Sequence, residues 1–153
     1  MHVSPEQELR RTASHEAGHA VVSVYLEVPF DYVEMGDDGT GSVQPSCTVD
    51  AGESFRELAA KHLIAAYAGM ESQRTFHPEQ PLWQIRDCAQ DDRRKIREIA
   101  AEFGFTTTEL SRATEQAIVL VQQLRNGIEA TASALLEKRK LTCADVKAIL
   151  AGV

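Results

Sequence analysis

Basic residues are in short supply. Sixteen Lys and Arg face twenty-three Asp and Glu, a formal net charge of −7. That deficit argues against nucleic acid or an anionic membrane as a partner, since both need a cationic face. No apolar run reaches the roughly 20 residues that cross a bilayer, and the opening stretch MHVSPEQELRR lacks the apolar centre of a signal peptide. Cysteine is scarce as well: Cys47, Cys88 and Cys143 are odd in number and widely spaced, with no C-x-x-C pair. They read as reduced thiols of a cytoplasmic protein, not as a disulfide framework or a thiolate zinc site. Internal repeats and low-complexity segments are absent. The remaining composition is ordinary, with 43% hydrophobic and 25% charged residues in 153. It predicts a single domain over 1–153 with a real core.

Helical signals dominate, so the predicted class is mainly α. In SPEQ, Ser4 can cap a helix, Pro5 suits its first position and Gln7 completes a capping box. The helix should run to about Leu26, where EVP stops it. Next comes FDYVEMGDDGTGSVQPS, in which Phe30, Tyr32 and Met35 are set among polar residues over 30–35. A Gly/Asp turn and a second short strand over 42–44 complete a small hairpin. The stretch 54–76 has apolar residues at 55, 58, 59, 63, 66 and 67, a helical period. HPEQPLWQIRDCAQ is a proline-bearing connection with no element assigned until a helix over about 89–103. From Glu109 onward, Ile118, Val121, Ile128, Ala132 and Leu135 predict one long helix, or two divided at Asn126-Gly127. Thr142 and Asp145 form a capping box for a last helix closing at Gly152.

The first helix carries the chemistry. In SHEAGHAVV, His15 and His19 are four apart and therefore on one face, close enough for both imidazoles to reach one ion. Glu16, one step along, can touch a metal-activated water without ligating the metal, the general-base role of the H-E-x-x-H signature. Ala13, Ala17, Gly18, Ala20, Val21 and Val22 flank the motif, so the helix should be buried on most sides, where polar side chains need partners. Gly18 weakens the helix unless another backbone must approach closely there.

A catalytic zinc needs a third protein ligand. The metzincin continuation is excluded, because Val22 and Tyr25 stand where that class has Gly and His. His62, Glu71, His77, Asp91 and Asp92 are the candidates. Asp92 precedes the apolar stripe Ile96, Ile99 and Phe103 at spacings of 4, 7 and 11, so it points with the core, whereas Asp91 shares a solvated face with Lys95, Glu98 and Glu102. His62 lies one step off its helix's stripe and His77 sits in a connection, where it should be exposed. Glu71, at a helix end, remains a rival, since some zincins take a glutamate from a following helix. Asp92 leads, with Asp91 and Glu71 as alternatives.

These segments together resemble the proteolytic domain of the FtsH-type zinc metalloproteases. SHEAGHAVV is similar to that family's HEAGHA stretch, AYAGMESQRTF to its glycine-containing helix end, and LLEKRKLTCADVKAIL to its closing helices. CAQDDRRKIREIA resembles the Gly-Ala-Ser-Asn-Asp segment that carries the third ligand, with Cys88 standing for the glycine, Asp91 for the asparagine and Asp92 for the ligand. The chain departs from the pattern at Arg86 and Asp87, where the family has threonines, and at Cys88. No GxxxxGK[ST] motif occurs among the 153 residues, so the resemblance implies a free-standing domain without the family's ATPase module or membrane anchor. The fold it implies is a zincin-like helical domain with a small sheet after the HEAGH helix, 1–107 forming the metal-site half and 108–153 the C-terminal helices.

The expected activity is a zinc-dependent endopeptidase with one Zn²⁺ per chain, held by His15, His19 and Asp92, with Glu16 as base. Substrates would be peptides or unfolded proteins, alone or delivered by a separate ATPase. An extended peptide could add to the strand near Tyr32, Val33 and Glu34. The alternative is a catalytically silent zinc-binding module that works through protein contacts. Oligomer formation is implied by the resemblance alone.

Overall fold

The computed structural model describes residues 3–45 and 54–153. Among them are seven helices and one three-stranded sheet: α1 (Pro5–Tyr25), β1 (Phe30–Met35), β2 (Gly41–Pro45), α2 (Phe55–Phe76), α3 (Leu82–Cys88), α4 (Gln90–Phe103), α5 (Thr107–Gln123), α6 (Arg125–Lys138), β3 (Lys140–Thr142) and α7 (Cys143–Ala151). No helix among them is long and apolar enough to cross a membrane. Cys88 and Cys143 are free thiols, and Cys47 lies outside the described residues.

Local chemistry sets the helix ends. Ser4 accepts from Gln7 N while Gln7 reaches back to the Ser4 amide, with Pro5 at the first position. Thr142 and Asp145 make the same reciprocal cap on α7. The segment read as one or two helices is two, α5 and α6, parted at Leu124 just before Asn126-Gly127. The connection after α2, for which no element was expected, contains the short helix α3.

α1 is the central element. α2 and α6 pack along it, α7 and the strands β1 and β2 close further sides, and every residue from Ala13 to Ser23 is buried. The core joins Val21, Val33, Leu63, Ile128, Leu141 and Val146, so residues from both ends of the chain share one interior. Gly18 is where α2 comes closest. A Cβ there would stand 2.6 Å from the Ala68 carbonyl oxygen and inside the Ser72 side chain, which is the close backbone approach its position in the sequence required.

The sheet differs from the expected hairpin in two ways. β1 pairs antiparallel with β2 on one edge and with β3 on the other, in the order β2-β1-β3. A register shift between Phe30 and Tyr32 changes the phase, so Phe30, Val33 and Met35 face the core while Tyr32 turns outward beneath the Lys140 ammonium, 4.0 Å from the ring centre. β3 is reached through Arg139, whose left-handed backbone (φ 66°) ends α6 and turns the chain onto β1.

Candidate metal centre

Helical phase puts His15 and His19 on one face of α1, their rings edge-on with centroids 4.7 Å apart. α2 fixes both tautomers. His19 Nδ1 lies 2.7 Å from the Ala65 carbonyl oxygen, which can only accept, so Nδ1 carries the proton. His15 Nδ1 donates to Gln73 Oε1 at 2.8 Å, and that amide is oriented in turn because its Nε2 donates to Gln80 Oε1 at 2.8 Å. Both Nε2 atoms are thereby aimed at one place. Asp92 Oδ2, from the first turn of α4, stands there, 2.6 Å from His15 Nε2 and 3.0 Å from His19 Nε2. Two imidazole lone pairs and a carboxylate oxygen repel one another at such distances. The arrangement requires positive charge between them, as protons or as a metal ion.

The backbone has been kept clear for this convergence. A Cβ on Gly69 of α2 would overlap the His19 ring at Cε1 and Nε2 and stand 2.8 Å from His15 Nε2. Glu16, also buried, leaves Oε2 without a partner among the described residues. His15, Glu16 and His19 form a buried group whose ligand atoms lie within 4.8 Å of one another and which can hold a metal ion. The donor set, two oriented imidazoles with an inward carboxylate and a second carboxylate beside them, fits a divalent cation with nitrogen and oxygen preferences.

Electrostatics agree with the geometry. Burial raises the Glu16 carboxyl above its ordinary range, against the pull of His19 and His15. Burial opposes charge on His19, yet the Asp92 charge and hydrogen bond, aided by Glu16, lift it to about 9. For Asp92 burial again opposes charge, and the His19 charge with hydrogen bonds from both histidines holds the carboxyl well below the usual range.

Glu16, Asp91 and Asp92 line two cavities, one reaching His15 and the other His19. One, of about 500 Å³, also contacts Arg11, His15, Gln84 and Cys88. The other, of about 320 Å³, is more apolar, walled by His19, Phe30, Val43, Ala66 and Ile99.

Of the acidic candidates, Asp92 is the one brought to the histidines. Asp91 is 84% exposed and pairs with Arg94 at 3.2 Å. Glu71 is half-buried on α2, its carboxyl raised by that burial, and borders neither cavity. His62 borders the apolar cavity. His77, expected to be exposed, is largely covered, with Nε2 3.0 Å from Ser14 Oγ. The expected peptide-accepting edge at Tyr32, Val33 and Glu34 is wrong: β1 is the inner strand, and β3 occupies the edge opposite β2. Sequence reasoning also missed Gln73, Gln80 and the Ala65 carbonyl. The one available signal for Gln73 was its four-residue spacing from Gly69, which puts both on the same face of α2.

No protein-family model matches this chain, and no curated protein aligns with it significantly.

Proposed function

We propose that this chain is a zinc-dependent metallopeptidase of zincin type that hydrolyses peptide bonds in peptides or unfolded proteins. One observation carries the reading: the Nε2 atoms of His15 and His19 and the Asp92 carboxylate converge on one point, with both Nδ1 protons committed elsewhere and a buried Glu16 carboxylate alongside. The resemblance of SHEAGHAVV and CAQDDRRKIREIA to the FtsH-type proteolytic domain supports it independently.

His15, His19 and Asp92 would hold the ion. When bound, zinc supplies a Lewis acid that acidifies water and polarises a carbonyl. Glu16 accepts the proton of the attacking water and returns it to the departing amine. Its buried setting raises the carboxyl above its ordinary range, so that it holds the proton longer before passing it to the amine. Gln73 and the Ala65 carbonyl hold the rings in the ligating tautomer. β2, an outer strand of the sheet whose Gly41, Ser42 and Val43 border the cavities, offers an extended peptide a strand to pair with. Substrates reach the site as short peptides, as unstructured segments, or from a separate ATPase.

The test combines elemental analysis with turnover. Purified protein should carry one zinc per chain and degrade an unfolded protein such as casein, and Glu16→Gln should keep the zinc and lose turnover. Zinc-loaded protein that leaves all unfolded chains and peptides intact would replace this reading with that of a silent zinc-binding module.

A further inference from the structure

The larger cavity contains a charged group for which the proposed chemistry has no use. Arg11 lies one turn before His15 on α1, on the histidines' own face, and borders the cavity that His15, Glu16 and Asp92 line. Its side chain is only 12% exposed. Little around it satisfies the guanidinium: Gln84 Oε1 accepts at 3.5 Å, and Glu79, itself 58% exposed, lies 3.6 Å away. The buried Nε has no acceptor among the described residues. A guanidinium presents five N–H donors in a planar fork matched to a carboxylate. Holding one in the protein with so few acceptors is costly unless something entering the cavity supplies them. The other acids of the cavity do not. Glu8, Asp38 and Asp91 are exposed, Glu16 and Asp92 belong to the metal centre, and none of the five pairs with Arg11 among the described residues.

We propose that Arg11 is a carboxylate-binding subsite, so that the favoured substrates are peptides with a carboxylate close to the scissile bond. The substrate class rests on the peptidase reading; the subsite itself rests on the cavity. Arg11 lines the same cavity as His15, Glu16 and Asp92, which places the carboxylate within a few residues of the bond cut in an extended peptide. It comes from the free C-terminus or from an Asp or Glu side chain. In the first case the chain trims peptides from their C-terminal end. In the second it selects acidic sequences internally.

Binding to zinc-loaded Glu16→Gln protein separates these outcomes. Three fluorescein-labelled pentapeptides share one neutral core: one ends in a free acid, one in an amide, and one is the amide with a single internal Glu. A carboxylate-bearing peptide should bind roughly 10- to 100-fold more tightly than the neutral amide. Whichever of the two does so identifies the source. Adding Arg11→Gln should abolish the preference, and Arg11→Lys should retain part of it. Equal binding of all three peptides by protein with Arg11 intact overturns the subsite, and that comparison does not depend on the Arg11 variants folding. A preference that survives Arg11→Gln in natively folded protein overturns it too, since the carboxylate would then be held elsewhere. If wild-type protein cleaves none of the peptides while the Arg11-dependent preference persists, the subsite stands and the peptidase reading falls.

Discussion

Gly69 is the residue at which two opposed effects can be weighed. In an ordinary helix, Gly→Ala stabilises by about 1 kcal/mol. Here the added methyl would enter the space of both histidine rings, and neither ring can retreat without breaking its Nδ1 hydrogen bond. Gly69→Ala should therefore keep or raise helix content yet lose most of its zinc, read by metal titration beside circular dichroism. An alanine variant that binds zinc like wild type would mean the rings do not meet at the ion as described. Gln73 offers a gentler perturbation. Gln73→Leu removes the acceptor for His15 Nδ1 and strands Gln80 Oε1, so zinc affinity should fall roughly 10- to 100-fold with the ligands intact. Competition against a chelating dye measures it. His15, Glu16 and His19 were legible because the motif is local and its spacing has one helical meaning. The Ala65 carbonyl was not, and Gln73 had only its spacing from Gly69 to mark it, because a supporting hydrogen bond from another helix leaves no motif in the segment it supports.

At the level of elements, phase carried the correct expectations and pairing defeated the incorrect one. Asp92 was placed by its spacing to Ile96 and Ile99, a property of α4 alone, and Ser4, Pro5 and Gln7 announced the start of α1 within four residues. β1 was read as an exposed edge because nothing near it in sequence could cover its second side. The strand that does so, Lys140–Thr142, is three residues long and more than a hundred positions away, too short for an alternating pattern to register. The irregularity after Phe30 shifts the phase of the strand, so Val33, not Tyr32, faces the core. The α1–α2 contact gives the test at this scale. Gly18→Ala gains helix propensity, but its methyl would press on the Ala68 carbonyl and Ser72, a backbone contact that relaxes only if the helices separate. A net loss of about 1–3 kcal/mol follows, measured by urea unfolding, together with weaker zinc binding because Ala65 and Gln73 move with α2. A stabilised Gly18→Ala protein would mean the two helices are not so closely packed.

For the whole molecule, the cluster of His15, His19 and Asp92 ties α1, α2 and α4 together, and its protonation governs how firmly. Without metal, His19 titrates near 9 in the fold against an ordinary 6.5. A raised value means the folded state binds the proton more tightly, so the stabilisation from His19 and Asp92 is complete below about pH 6.5 and is lost as pH rises towards 9. On the acid side the lowered Asp92 carboxyl works the other way: its contribution is present above its ordinary 3.8 and is lost as pH falls towards its depressed folded-state value. Metal-free protein should thus be steadiest between about pH 4 and 6.5 as far as this pair is concerned, and should weaken through pH 7–9. Zinc must displace the His19 proton, so its affinity increases with pH over the same interval, by up to about tenfold per unit. The stabilisation it adds grows with affinity at fixed concentration. Unfolding midpoints with zinc and with a chelator should therefore lie closer together at pH 6 than at pH 8.5, because the ion takes over the role of the lost proton. A metal-free midpoint that stays flat from pH 6 to 9, with a zinc increment that does not change, would mean that no shared proton occupies the place between His19 and Asp92.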